Sequence, residues 1–280
     1  MILVTGATGK VGGHVLTRLR EAGHQVRALS RDPDRADLPA DVEVIAGSPA
    51  QVDSSAAALA GVDAAFVCLV GDVETQARGF AEAVRRVGGV RRLVLLSSSA
   101  VLHPVRHRIG DEHRAAEELI GAVAPHATLL RPGPFHTNSL WWAKSIREQG
   151  RVRCLVGNNP GAPLDPDDLA AVVVAALTSA EHARQRYELT GPEVLTSAEQ
   201  VRTIAEVTGR ELDFEVAAPA EVVAMFASIT GDRPAAVTNV AALHSAQVPW
   251  GRTTDTIQRL LGRQPRTFRD WAAENAHLFK

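Results

Sequence analysis

Eight residues near the start of the chain, Thr5-Gly6-Ala7-Thr8-Gly9-Lys10-Val11-Gly12, follow the apolar run Ile2-Leu3-Val4 and open a segment with helical spacing. Few chains can place three glycines between a strand and a helix for any purpose other than backbone geometry. Gly6 permits a tight turn, Gly9 lets the backbone approach a pyrophosphate, and Gly12 lets the helix lie against the strand. The unpaired N–H groups and the dipole at the helix start then favour an anion. Thr8, Lys10 and Val11, between the glycines, complete the expected phosphate cradle.

The rest of the chain repeats the same unit. Val11–Ala22 has apolar residues at helical spacing and stops at Gly23; Gln25–Leu29, Val42–Ala46, Ala64–Leu69, Arg92–Leu96 and Ala127–Leu130 read as strands. Helical patterns fill Glu74–Val87 and Asp111–Val123. Strands this apolar are buried on both faces, which predicts an α/β fold: a doubly wound parallel sheet of Rossmann type with right-handed crossovers. After Arg131 the rhythm breaks at Pro132-Gly133-Pro134. Trp141–Gln149 reads as a helix, Gly157–Pro163 as a loop, Asp167–Ser179 as a helix returning to the sheet, and Arg186–Leu189 as a strand. From Thr196 the pattern is mostly helical, with a short strand at Leu212–Val216. Residues 1–131, with 165–190 returning to the same sheet, are expected to form the nucleotide-binding domain; 132–164 and 191–280 form a smaller, mostly helical lobe over the substrate.

Composition narrows the function. The net charge is −2 over 280 residues, and arginines are scattered among acids, so phosphate neutralisation on a nucleic acid has no basic stripe to work with. No apolar run reaches the roughly 20 residues of a membrane span, and no secretory leader is read at the start. Two cysteines, Cys68 and Cys154, without CxxC spacing suggest a reducing compartment, and a cytoplasmic location is expected. The ten histidines form no metal-binding spacing; His103 and His107, beside Pro104, read as solvated loop histidines, and no metal is expected.

The GxxGxxG spacing with the wording TGATG resembles the extended and atypical short-chain dehydrogenases. Further segments are similar to the NmrA-like branch: Val26–Pro33, Val90–Ser98, Leu129–Phe135, Asp168–Ala170, Leu189–Glu193 and Phe268–Ala272. Their order along nearly the whole chain carries the resemblance. It implies an NAD(P)-binding protein acting on a small-molecule substrate, and it leaves a homodimer open. Around the cofactor it implies Leu69 and Val70 after the fourth strand, Ser97 after the fifth, and Pro132, Gly133, Pro134 and Phe135 around the nicotinamide. In the usual pattern a Gly-Asp pair follows strand three; Gly47-Ser48 stands here, so Ser48 keeps a hydrogen bond without the charge.

NAD-specific sites hold the ribose hydroxyls with an acid at the tip of strand two. That tip is Ser30-Arg31 in this chain, with Lys10 and Arg35 nearby. A guanidinium forks onto a 2′-phosphate, so NADP(H) is the expected cofactor; Asp32, one residue on, keeps NAD(H) in view.

Standard short-chain dehydrogenases carry a proton-donating Tyr and a Lys four residues later. The chain has one tyrosine, Tyr187, far from that helix start and read as structural, and the segment His107–His113 has neither residue. Reducing a plain ketone gives an alkoxide whose conjugate acid has a pKa of about 16; a quinone gives a phenolate-like anion near 10, a difference of roughly 8 kcal/mol. A positioned acid contributes about 10²–10⁴-fold. Without one, the chain should favour flat acceptors that take hydride before proton, such as quinones, dyes or conjugated enones. His136, His113 and Ser98 are the candidate catalytic residues, while Ser97 to Ser99 read equally well as strand-end caps, and Trp141 and Trp142 either line an apolar pocket or pack in the core. The reading is an NADPH-dependent reductase, with a non-catalytic NAD(P) sensor and a non-redox cyclase or isomerase as alternatives.

Overall fold

The alternation of buried side chains along the strands explains why the sheet is parallel and covered on both sides. In the computed structural model, which describes residues 1–155, 157–230, 232–243 and 251–280, Ile2 and Val4 of β1 (Ile2–Thr5) enter one core while Leu3 enters the other. Strand β4 (Ala64–Cys68) does the same, with Phe66 on one side and Ala65 and Val67 on the other. A strand apolar on both faces needs a helical layer over each.

Those layers come from the crossovers. Helix α1 (Gly12–Glu21) leads to β2 (Val26–Ser30) and β3 (Glu43–Ala46); α2 (Val52–Leu59) precedes β4, and α3 (Val73–Val87) precedes β5 (Arg92–Leu96). Helix α4 (Arg108–Val123) precedes β6 (Thr128–Pro132), α5 (Ala143–Gln149) is followed by β7 (Arg151–Cys154), and α6 (Pro166–Thr178) leads to β8 (Arg186–Leu189). Seven strands pair in the order β3-β2-β1-β4-β5-β6-β8, all parallel. Helices α1 and α6 cover one face, and α2, α3 and α4 cover the other. The strand order reverses beside β1, between β1 and β4, and the crevice at the carboxyl ends there is where such sheets bind ligands.

The remaining elements are α7 (Ser197–Thr208), β9 (Asp213–Val216), α8 (Pro219–Thr230), α9 (Arg233–Leu243), α10 (Thr256–Leu261) and α11 (Phe268–Glu274). Strands β7 and β9 make a two-stranded parallel sheet. A third core gathers Ile146, Val152, Ile204, Phe268 and Trp271, and a fourth lies between α8 and α9. Residues 244–250, part of the stretch expected to be mostly helical, lie outside the described residues. No helix among the described residues is long and apolar enough to cross a membrane.

Several boundaries differ from the sequence pattern. Helix α2 was not expected, because Val52–Leu59 is a short run of small residues; its buried stripe of Ser55, Ala58 and Leu59 is defined by packing under β2 and α3. Strand β7 was likewise not expected, since its ladder partner is sixty residues away in β9. The expected helix at Trp141 starts at Ala143, because residues 136–142 form a tight 3-10 turn.

Candidate functional site

The glycine turn is held by its own backbone. Gly6 adopts φ +65°, and the Gly9 N–H donates to the Gly6 carbonyl at 2.9 Å. A Cβ on Gly12 would lie 2.1 Å from the Gly6 oxygen, so only glycine lets α1 start this close to β1. The turn is also locked to β4: the Thr5 hydroxyl donates to the Cys68 carbonyl at 3.0 Å, and the Cys68 N–H donates back to Thr5 Oγ1 at 2.8 Å. Cys68 Sγ faces the Gly6 side, and burial pushes its thiol up to about 11, so it remains protonated packing material.

A cavity of about 400 Å³ opens from this turn along the carboxyl ends of β1, β2, β3 and β4. Gly6, Thr8, Ser30, Arg31, Ser48 and Val70 line it, as do Asp32, Arg35 and Gly47. Asp72, Thr75 and Gln76 close it from the start of α3, where Asp72 caps the helix by accepting from the Thr75 N–H at 3.0 Å. Gln76 donates to the Val70 carbonyl, fixing the loop that carries Val70, a residue 69% exposed at the rim. Asp32 is turned towards Arg35, with 3.6 Å between carboxylate and guanidinium, which leaves Arg31 as the cation at the tip of β2. The positive-φ cradle, the anion-favouring helix start and the Arg31 guanidinium, which has no ion-pair partner among the described residues, together fit a dinucleotide carrying an extra phosphate.

A second cavity, about 280 Å³, sits further along the same strand ends. Ser98, Ser99 and Ala100 after β5 form one wall, and Pro132, Gly133, Pro134 and Phe135 after β6 form another. His107 and Ile109 at the start of α4, Asn138, and Asn239 of α9 complete it. Asn239 reaches across because its Oδ1 accepts from the Arg108 N–H at 3.3 Å. Ser98 caps the 3-10 turn at residues 99–102 by accepting from the Ala100 N–H at 3.1 Å, so capping and lining are combined in one side chain.

Other residues singled out from sequence stand elsewhere. Val11 packs in the core, as does Leu69, which points to the α3 side; neither lines the cavity. Gly9 and Gly12 shape the turn without lining it, and Lys10 Nζ donates to the Thr137 carbonyl at 3.1 Å, joining the turn to the segment after β6. Ser97 is buried and donates to Glu117 at 2.6 Å, while Arg131 forks onto the same carboxylate at 2.9 and 2.6 Å. Burial alone would raise the Glu117 pKa, and those hydrogen bonds outweigh it, holding the carboxyl below its usual range.

His136 turns inward. Its ring is 0% exposed and stacks edge-on against Phe268 at 5.4 Å, with Trp271 at 5.9 Å, and burial pushes its pKa down to about 3. A side chain walled off in that way does not reach an acceptor, so His136 belongs to the core. His113 lies one helical turn behind Ile109 on α4, is partly buried with its pKa lowered by desolvation, and lines neither cavity. Trp141 is 71% exposed, and Trp142 packs on the third core; neither lines the second cavity. Tyr187 lies on the edge strand with its hydroxyl 2.9 Å from His182 Nδ1.

His103 and His107 are the clearest correction. Read as solvated, they are 4% and 7% exposed, with their rings in edge contact at 5.1 Å. The sequence pattern gave no signal for this, because the helix was expected from Asp111 and it starts at Arg108, directly after His107.

Residues 6–180 match the sequence model of a family described as NAD(P)H-binding. Over 100% of this chain and 99% of the relative, the chain is 40% identical to the (4-alkanoyl-5-oxo-2,5-dihydrofuran-3-yl)methyl phosphate reductase of Streptomyces griseus. It is 31% identical to the NAD(P)H azoreductase of Xenophilus azovorans over 100% of this chain and 99% of that one. The structure superposes on an NADPH-dependent quinone oxidoreductase of Escherichia coli complexed with NADPH, with a TM-score of 0.82 and 23% identity, covering 100% of both chains.

Proposed function

The chain belongs to the NAD(P)H-binding, NmrA-like family of short-chain dehydrogenase relatives and is an NAD(P)H-dependent oxidoreductase, and from that premise we propose that it is an NADPH-dependent reductase of flat, carbonyl-conjugated acceptors. The observation that carries this reading is the pair of cavities at the carboxyl ends of one sheet. The first is lined by Arg31 and Arg35 beside the glycine turn, and among the described residues the second has no Tyr, Lys or other charged side chain in its lining. When bound, NADPH supplies a hydride. The chain holds the pyrophosphate on the amides of the turn and α1, and Arg31 meets the 2′-phosphate. Pro132, Pro134 and Phe135 give the second cavity an apolar wall.

The absence of a strong acid in that cavity selects acceptors whose reduced form is a stabilised anion. The name of the Streptomyces relative describes a 2,5-dihydrofuran with 5-oxo and 4-alkanoyl groups, an alkene conjugated to two carbonyls. An alkene of this kind takes hydride at its ring carbon and spreads the charge onto oxygen, as the argument from the missing tyrosine requires. NADPH oxidation followed at 340 nm with 3-acetyl-2(5H)-furanone, menadione and cyclohexanone tests the proposal. Turnover of the first two and none of the third is expected. Equal rates with cyclohexanone would remove the argument from the missing acid; no oxidation with any acceptor would remove the reductase reading.

A further inference from the structure

We propose that His107 is the hydrogen-bond donor that receives the oxyanion of a carbonyl-conjugated acceptor, so that a neutral imidazole at a helix start serves where the family's tyrosine is missing. The inference rests on the reductase reading above and adds the residue that makes the second cavity selective for oxygen-bearing acceptors.

The tautomer follows from the backbone. His107 is the N-cap of α4, and its Nδ1 accepts from the Gly110 N–H at 3.1 Å. A ring nitrogen that accepts a hydrogen bond carries no proton, so the neutral ring carries its proton on Nε2 and is a donor there. His107 lines the second cavity together with Pro132 to Phe135. It is held on its other side by His103, whose Nδ1 also accepts, from the Val105 N–H at 3.0 Å. The ring is clamped closely: a Cβ on Gly110 would come within 3.2 Å of His107 Cε1. A donor fixed in this way needs no reorganisation when charge appears in front of it.

The surroundings keep the ring neutral. Burial lowers its pKa, and His103 and Arg114 lower it further, with Asp111 opposing. The positive end of the α4 dipole acts in the same direction. Protonation would also put a hydrogen on Nδ1 against the Gly110 N–H and break the cap. His107 is therefore a hydrogen-bond donor and does not surrender its proton. The step balances without it: hydride from the reduced nicotinamide bonds to the β-carbon of C=C–C=O, the alkene electrons shift to the carbonyl oxygen, the cofactor leaves oxidised, and solvent later protonates the α-carbon. His107 Nε2–H holds the oxygen between those two events.

Capping and donation can be separated, because Asn and Asp are both strong N-cap residues. His107→Asn and His107→Asp keep an acceptor for the Gly110 N–H and end short of the cavity; in the Asp variant the group left there is an acceptor only. Melting temperature reports the cap. With NADPH, kcat/KM is measured for 3-acetyl-2(5H)-furanone and for malachite green, a carbocation with no carbonyl oxygen. Independently of turnover, 4-nitrophenolate, a stable oxyanion, is titrated by its absorbance in the presence of NADP⁺. Losing a positioned oxyanion donor costs about 10²–10³-fold, so both variants should lose about that on the furanone and bind 4-nitrophenolate at least about 10-fold more weakly. Dye reduction and melting temperature should hold. Unchanged furanone turnover and phenolate affinity, or equal losses on dye and furanone in a folded variant, would overturn the assignment. If the parent reduces neither acceptor, the reductase reading fails, and the phenolate titration alone decides whether His107 faces an oxyanion: parent binding no tighter than the variants rejects it.

Discussion

Two adjacent glycines at the start of α1 should respond to the same substitution with opposite signs. On Gly12 an added Cβ would meet the Gly6 oxygen at 2.1 Å and the Gly6 carbonyl carbon at 2.6 Å, both backbone atoms that no rotamer change can move. On Gly13 the nearest atom is the Ala7 oxygen at 3.5 Å, an ordinary contact. Restoring ordinary contact at Gly12 requires opening the turn by more than an ångström, because contacts become ordinary only at 3.4 Å. Overpacking of that kind costs about 1–3 kcal/mol. The Gly6 oxygen also accepts from the Gly9 N–H at 2.9 Å, and losing that bond adds about 1 kcal/mol. Gly12→Ala should therefore destabilise by about 2–4 kcal/mol, a fall of roughly 5–15 °C in melting temperature for a chain of this size. Gly13→Ala should gain up to about 1 kcal/mol from helix propensity. Differential scanning fluorimetry gives the first readout, and NADPH titration by fluorescence gives the second. Displacing the start of α1 withdraws its amides from the pyrophosphate, so Gly12→Ala should also lose at least about 10-fold in NADPH affinity, the size of one charge-assisted hydrogen bond. A Gly12→Ala protein with parental melting temperature and parental affinity would refute the account of the turn given above.

Two further outcomes follow from the charges around the site. Arg31→Ala should weaken NADPH binding by about 10- to 100-fold, the range of a charged hydrogen bond, and leave NADH affinity nearly unchanged; equal affinity of the parent for the two nucleotides would reject the choice of NADP(H). His136 is folded neutral with its pKa lowered to about 3, so as pH falls below about 6.5 the unfolded chain takes up the proton first and stability is lost. At pH 5 that loss is about 2 kcal/mol relative to pH 8, and His136→Phe should remove it; urea midpoints of parent and variant at the two pH values check this, and a variant with an unchanged pH slope would show that the ring titrates normally.

The cavity beside the glycine turn was legible because its physics is local. A glycine needed for φ +65° or for a 2.1 Å approach is written at its own position, and Ser30, Arg31 and Ser48 sit at strand ends whose apolar pattern is written beside them. The second cavity depends on contacts that sequence spacing does not record. His136 is enclosed by Phe268 and Trp271, more than 130 residues away, so its neighbours after β6 gave no sign that it faces the core. Ser97 is taken by Glu117, which Arg131 also holds, and its neighbour Ser98 is left to line the cavity, a choice between adjacent serines made by α4. His103 and His107 looked exposed because Pro104 lies between them; they are buried because the 3-10 turn at residues 99–102 and the start of α4 close on each other. Asp72, Thr75 and Gln76 escaped notice because a helix cap reads the same whether or not a cavity lies beyond it.

The two cavities differ in charge, and that difference limits the chemistry. The first places Arg31 and Arg35 beside the glycine turn, with Asp32 engaged by Arg35. The second is lined by serines, asparagines, apolar groups and one histidine held neutral by its cap. On the proposed reading, a hydride converts a neutral acceptor into an anion inside that second cavity. Fixed cations there would bind anionic substrates before reaction as well as anions after it, and equal stabilisation of both states does not accelerate the step. Neutral donors act differently: a hydrogen bond to a carbonyl strengthens as the oxygen gains charge, and in a water-poor cavity the gain is larger than in solution. A site of this composition is therefore suited to acceptors that enter uncharged at the reacting end and become anionic only as hydride arrives. It is poorly suited to simple ketones, whose alkoxides need a proton that none of these side chains is placed to give.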